Sequence, residues 1–254
     1  MKTRKVTRWK PAALLGSLAF AVLWQLAAWI SGPAFLPGPV AVIKLFFVQL
    51  TTPGYLGTVL ASYQRVLVGW GIGSLVGMVG GILMGRYASL GQFLYSPIQF
   101  FRVIPAIAIV PILVIWLGVG ETIKYVIIGY GVALVVAVNI ADAVQRVAQV
   151  RLQAARSMGA GPIRIFWGVL VPSVMPEVLK GVRGSLAFAF MSIVGIETLA
   201  AQDGVGKMIW NARVLHQTDV AILGIVTLGL MGVLADLLVQ ALFRLFGYRF
   251  MMRR

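Results

Sequence analysis

The chain has 254 residues, of which 60% are hydrophobic and only 11% are charged, and its mean hydropathy is +0.94. A soluble domain of this length does not normally have such a composition, so we expect lipid to be the solvent for most of the chain. Because cysteine is absent and His216 is the single histidine, the composition excludes a disulfide framework and a histidine metal site. The net charge of +15 does not indicate a nucleic-acid partner, because the basic residues lie between apolar runs.

The first apolar run follows a basic N-terminal segment at 1–11, a pattern that secretory signals share with retained spans. The run is too long for a signal, and Leu36–Pro39 is not a small-residue cleavage site, so we expect a retained first span. After Pro37-Gly38-Pro39, the residues Val40–Leu50 predict a short helix. This helix lies either at the outer membrane interface or in a partly buried connector.

Six apolar runs approach the roughly 20 residues that a helix needs to cross a bilayer. They predict an all-α bundle of about six transmembrane helices over 12–243, within a single membrane domain at 1–254. Arg102, Pro105 and Pro111 interrupt the third run. The runs are Ala12–Ile30, Val66–Gly85, Pro97–Leu117, Tyr125–Ala141, Val182–Ala200 and Val220–Phe243.

The basic residues predict the orientation, since cytoplasmic loops retain Lys and Arg. The densest basic clusters lie in the N-terminal segment, the turn at 86–96, the loop at 142–181 and the C-terminal tail. Six crossings place all of these on one side, so both termini are predicted to be cytoplasmic. The opposite side keeps Lys44, Arg65, Lys124, Lys207 and Arg213.

Small residues in the second span recur every fourth position, a spacing that lets another helix approach closely. The span is therefore predicted to pack at the centre of the bundle. The glycines of this ladder are Gly69, Gly73, Gly77, Gly81 and Gly85.

Two acidic residues lie within predicted spans, where burial of a charge is costly. Glu197, near the outer end of the fifth span, either lines a water-filled path or pairs across the bundle. Asp236 lies deeper in the sixth span and either bonds to a neighbouring helix or extends toward an interface. The stretch Gly204–Lys207 is similar to a phosphate loop but lacks the motif's first glycine and its Ser or Thr, so we expect no ATP there.

The loop at 142–181 is too polar to span, yet its pattern predicts a short amphipathic helix followed by a second helix near Ile163. Gly159 is expected to end the first helix. An Ala154-Ala155 pair permits close docking of another protein, whereas the arginines would also suit a helix resting on anionic headgroups. The apolar residues at helical spacing are Val147, Val150, Ala154 and Met158.

Within this loop, Gln153-Ala154-Ala155, then Gly159, then Val169–Pro172 resemble the EAA signature of ABC-importer permease subunits. Gln153 stands where that family has glutamate. Further matching stretches are Pro105–Glu121, Pro176–Gly184 and Glu197–Ala212, the last with Asp203-Gly204-Val205-Gly206 in place of Ser-Gly-Leu-Gly. Together they resemble the nitrate/taurine/sulfonate branch over 36–243.

The resemblance implies a type I ABC-importer permease fold in the cell inner membrane, without catalysis by this chain. It also implies two copies forming a pathway, two cytosolic subunits that bind ATP and Mg, and an extracytoplasmic solute-binding protein. The implied coupling residues are Gln153, Ala154, Ala155, Arg156, Met158, Gly159 and Pro172. From the fifth span itself, rather than from the resemblance, we expect the pathway to be lined by Met191, Ser192, Glu197 and Thr198.

The resemblance favours taurine or another alkanesulfonate as the substrate, with nitrate, bicarbonate or an aromatic or pyrimidine-like solute as alternatives. An ion-gradient-driven secondary transporter is a different possibility, but it needs a buried carboxylate or a broken helix at the midplane. A membrane-embedded enzyme would need converging acids, histidines or nucleophiles, which seven scattered acidic residues and one histidine do not provide.

Overall fold

The computed structural model describes residues 11–147 and 149–251, and within these ranges it is all-helical. The basic residues predicted to orient the N-terminus, at 2–10, and the last two arginines lie outside the described residues. The helices are α1 Pro11–Ser31, α2 Pro39–Thr51, α3 Tyr55–Arg86, α4 Ala88–Val103, α5 Ala106–Leu117, α6 Glu121–Gln145, α7 Gln149–Ser157, α8 Pro162–Ile165, α9 Val171–Ala200, α10 Val205–Val214 and α11 Thr218–Met251. A π-helical turn, Phe166–Leu170, joins α8 to α9.

The prediction of about six membrane-spanning helices is confirmed for the described part of the chain. Five helices are long and apolar enough to cross a bilayer, and the pair α4–α5 makes a sixth if it counts as one span. This pair was predicted as one interrupted run, but the two helices meet at 98°. The break falls at Ile104, which is extended because Pro105 disfavours helical backbone at the residue before it.

Several predicted spans begin earlier in the structure than in the sequence interpretation, α3 and α6 among them. Helix α3 starts at Tyr55 rather than Val66, and α6 starts at Glu121. Arg65 and Lys124, which the sequence interpretation assigned to loops, therefore lie inside helices. The apolar run fixes where a span is hydrophobic but not where its helix begins, since backbone hydrogen bonding continues into polar residues.

The contacts divide the chain into two compact units. One comprises the described residues up to Gly57 together with Met208–Val226, and the other comprises Thr58–Lys207 together with the residues from Thr227 onward. In the first unit, the indole N–H of Trp24 in α1 donates to the carbonyl of Pro37 at 3.1 Å. This bond ties α1 to the turn that precedes α2.

The core of the second unit is formed mainly by α6 and α9. Ile127 and Val136 of α6 and Leu186 and Ile193 of α9 are among its buried side chains. By contrast, large apolar residues such as Ile115 are exposed, as expected for a surface that faces lipid.

The glycine ladder of α3 lies against α6. A methyl group at Gly77 would lie 2.7 Å from the carbonyl oxygen of Ala133 and 2.8 Å from Cβ of Val136. Comparable contacts to α6 occur at all the glycines of the ladder, Gly69, Gly73, Gly77, Gly81 and Gly85. The two backbones therefore pack closer than any side chain on these positions would allow.

Candidate functional site

Helix α7 lies in the polar segment between α6 and α9. It begins at Gln149, so Val147, predicted as its first apolar residue, instead precedes it and is buried. The helix ends at Ser157, and Gly159 follows with φ of +74°, a left-handed conformation that glycine adopts without strain. The N–H of Ala160 then donates to the carbonyl of Ala155 at 3.1 Å, which caps the C-terminal end as predicted.

The two alanines of the EAA-like signature face opposite ways. Ala155 is only 4% exposed, and Leu152, one turn earlier, packs against the core of the second unit. Ala154 is exposed and lies between two exposed apolar residues, Val150 and Met158. Val150, Ala154 and Met158 form what we call the outward stripe, an apolar face of α7 and of the residue after its end that the described part of the chain leaves exposed.

The remaining residues of the predicted coupling set have different surroundings. Gln153 and Arg156 are exposed, and Arg156 borders a cavity of about 660 Å³ that Arg86 and Phe166 also line. Pro172 is not part of α7; it occupies the first turn of α9, directly after the π-helical turn.

A partly buried cluster of charges joins α3, α6, α9 and the loop after α9. Its centre is Arg65, whose guanidinium donates to Glu197 at 2.9 Å, to Glu121 at 2.7 Å and to the Asp203 carboxylate at 2.6 Å. Lys124 adds a bond to Glu121 at 2.6 Å. We call these five residues, Arg65, Glu121, Lys124, Glu197 and Asp203, the Arg65 cluster.

Glu197 is fully buried in this cluster, with no exposed side-chain surface. Besides Arg65, it accepts bonds from the Ser62 hydroxyl at 2.7 Å and from the N–H of Gly206 at 2.8 Å. Gly204 packs directly against the carboxylate. The glycine-rich stretch that is similar to a phosphate loop therefore binds a carboxylate of its own chain.

The predicted pathway residues do not share one surface. Met191 is 76% exposed and borders a cavity beside α9. Ser192 and Thr198 donate to the carbonyls of Phe188 and Val194 in their own helix. Glu197 pairs across the bundle, which was the second of the two roles considered for it, and its carboxylate does not line an open path in this conformation.

Sequence reasoning missed Arg183, which lies inside α9 and pairs with Asp236 of α11 at 2.5 Å. The signal was present, because Arg183 is a charge within the predicted fifth span. Both residues border the same cavity as Met191. Among the described residues, no group of three or more His, Asp or Glu is placed to hold a metal ion.

The chain is similar to known membrane transport proteins over most of its length. The family of binding-protein-dependent transport system inner membrane components matches residues 73–250. The taurine transport system permease protein TauC of Escherichia coli is 32% identical over 91% of this chain and 86% of its own length. The putative aliphatic sulfonates transport permease protein SsuC of the same organism is 31% identical over 90% and 88%.

The chain is also similar to one further transport permease and to a solved transporter structure. The bicarbonate transport system permease protein CmpB of Synechococcus elongatus is 26% identical over 88% of this chain and 84% of its own length. A solved inward-facing structure of the MetNI methionine ABC transporter matches with a TM-score of 0.60, covering 73% of this chain and 94% of that chain at 20% identity. This structural match confirms the predicted fold.

Proposed function

Because this chain belongs to the family of binding-protein-dependent transport system inner membrane components, we propose that it is the permease subunit of an ATP-driven importer of taurine or another alkanesulfonate. The similarity to taurine and sulfonate permeases over about nine-tenths of the chain supports this substrate class. Two copies form the translocation pathway and receive the substrate from an extracytoplasmic binding protein.

The outward stripe of α7 is the observation that carries the coupling part of this proposal. Its apolar side chains are exposed on a helix whose other face, at Ala155, is buried in its own chain. An apolar face of this kind fits a groove on another protein, and the small Ala154 at its centre permits close approach. We infer that a cytosolic ATPase subunit covers the stripe.

The packing of α7 supports a mechanical role for the docked helix. Leu152 and Phe166 both pack against the core formed by α6 and α9, and the chain runs from α7 through the π-helical turn into α9. When the two ATPase subunits close on ATP, a displacement of α7 is transmitted to the spans. The bundle then moves between inward-open and outward-open states.

The nucleotide and its Mg²⁺ are held by the partner subunits in this proposal. The stretch at 203–206 supports this assignment, because the N–H of Gly206 donates to Glu197 and the N–H of Val205 donates to the Ser62 hydroxyl. Gly204 packs against the Glu197 carboxylate, so the stretch is not open to a phosphate. Both termini lie in the cytoplasm, on the same side as α7, in agreement with the positions of the basic segments.

Replacement of Ala154 by tryptophan tests the coupling. The bulky ring interrupts the outward stripe without entering the core, so we expect at least tenfold weaker binding of the ATPase subunit, about 1.4 kcal/mol or more. Co-purification of that subunit should be lost, and taurine uptake by proteoliposomes should fall with it. Ala34→Trp is the matched control, since Ala34 is also exposed but lies between α1 and α2, on the predicted outer side.

The outcome also separates protein docking from a lipid-resting helix. Retention of the ATPase subunit and of uptake by an inserted Ala154→Trp protein would refute the coupling proposal and favour contact with headgroups. The substrate is tested independently by thermal-shift screening of the partner binding protein with taurine, ethanesulfonate, nitrate and bicarbonate. Stabilisation by an inorganic anion alone would refute the sulfonate assignment.

A further inference from the structure

An ion pair links α9 to α11 inside two apolar spans. Arg183 donates to Asp236 from Nε at 2.5 Å and from Nη2 at 2.9 Å, and Gln240 donates to the same carboxylate at 2.7 Å. The two side chains nevertheless remain 46% and 36% exposed. Exposed charges are costly in hydrocarbon, so this face of the chain meets water or protein in the assembled transporter.

The pair borders a cavity of about 760 Å³ between α9 and α11. Most of the lining is apolar, including Met191 and Leu228, while Gly229 and Gly232 leave room beside the pair. A concave, mainly apolar surface with a few convergent charges is the usual character of a small-molecule site. The cavity is large enough for a molecule the size of a short sulfonate.

Three charged residues line this cavity: Lys180, which pairs with Glu177 at 2.9 Å, and the adjacent, oppositely charged Arg183 and Asp236. Arg183 uses two of its five N–H groups on Asp236, so the others remain for an oxyanion. Guanidinium groups suit oxyanions because they present several N–H donors in one plane. The Asp236 carboxylate is the matching acceptor for an ammonium group.

We propose that Arg183 and Asp236 are specificity-determining residues that favour zwitterionic aminoalkanesulfonates over plain alkanesulfonates. This inference rests on the proposed function and names the substrate class within it. During transport, the sulfonate group accepts hydrogen bonds from Arg183 and the ammonium group donates to Asp236. Each residue thus replaces its bond to the other with a bond to one end of the substrate. A zwitterion leaves both charges compensated, whereas ethanesulfonate binds the guanidinium and leaves the Asp236 carboxylate without its partner.

The test compares taurine with ethanesulfonate in proteoliposomes that contain the permease, its ATPase subunits and its binding protein. Because the binding protein is the same throughout, a change in the ratio of the two uptake rates reports on the permease. We expect Asp236→Asn to lower the ratio of taurine to ethanesulfonate uptake by roughly tenfold, the usual effect of losing a charged hydrogen bond. Arg183→Lys should lower both rates and leave the ratio nearly unchanged.

Asp142→Asn is the matched control, since Asp142 pairs with Arg146 at 3.5 Å on an exposed part of α6 outside this cavity. Equal uptake ratios for Asp236→Asn and this control would overturn the inference and leave the pair as a link between helices. Uptake of neither sulfonate by the unaltered complex would instead overturn the proposed function.

A cavity-filling variant tests the same inference if the Asp236→Asn protein does not insert into the membrane. A methyl group at Gly229 would have no atom within 4 Å, and the residue borders the cavity, so Gly229→Leu should leave the fold intact while extending into the cavity. We expect uptake of both sulfonates to fall at least tenfold with ATPase-subunit association unchanged. Undiminished uptake of both by Gly229→Leu would also overturn the inference, because the substrate would then not pass through this cavity.

Discussion

Replacement of Arg65 by methionine should lower the free energy of unfolding by about 3–5 kcal/mol, the usual cost of removing one partner of a buried ion pair. Methionine keeps much of the side-chain volume, so the loss is mainly electrostatic. Glu197, whose side chain has no exposed surface, would keep its bonds from Ser62 and Gly206 but would lose its counter-charge. Reversible unfolding of the purified protein in mixed micelles measures the change.

Arg146→Met provides the comparison, because the side chain of Arg146 is 77% exposed and its carboxylate partner is 3.5 Å away. Exposed pairs contribute about 1 kcal/mol or less, so this variant should remain close to the unaltered protein. Adding Glu197→Gln to Arg65→Met should recover part of the loss, since the neutral amide needs no counter-charge. Equal stabilities for Arg65→Met and Arg146→Met would show that the Arg65 cluster does not hold these helices together.

The positions of most spans could be predicted because hydrophobicity over about 20 residues is a local property of the sequence. The exception is the third span. Pro105 and Pro111 were both recognised as interruptions, yet the bend occurs only at Pro105, while Pro111 lies inside α5. Whether a proline bends its helix depends on the residues that pack around that helix, and these residues are distant in the sequence.

The Arg65 cluster could not be predicted from sequence, although each of its charged residues could be identified there. Arg65 and Glu197 are 132 residues apart in the chain, and the sequence around each residue does not indicate that the two form a pair. The charge pattern did assign Arg65 and Lys124 to the same predicted side as the outer end of the fifth span. Pairing across the bundle is set by helix packing, which only the three-dimensional structure reveals.

The glycine ladder shows the same division between local and tertiary information. Its spacing predicts close packing, but the identity of α6 as the partner comes from the structure. A complementary signal is present in α6, where small residues also recur every fourth position. These residues are Gly129, Ala133, Ala137 and Ala141.

Substitution of Gly77 by leucine should lower the free energy of unfolding by at least about 1–3 kcal/mol, the usual cost of overpacking a close contact. Even a methyl group would lie 2.7 Å from the Ala133 carbonyl oxygen, so α3 and α6 must separate to admit a larger side chain. The separation would expose both backbones along the ladder. The same unfolding measurement in mixed micelles applies.

Gly80, in the same helix, supplies the control, because a methyl group there would have no atom within 4 Å. Leucine is a better helix former than glycine by up to about 1 kcal/mol, so Gly80→Leu should be neutral or stabilising. The two variants share composition, helix and apolar environment and differ only in what the new side chain meets. If they proved equally stable, the contact of the ladder with α6 would not limit the spacing of these helices.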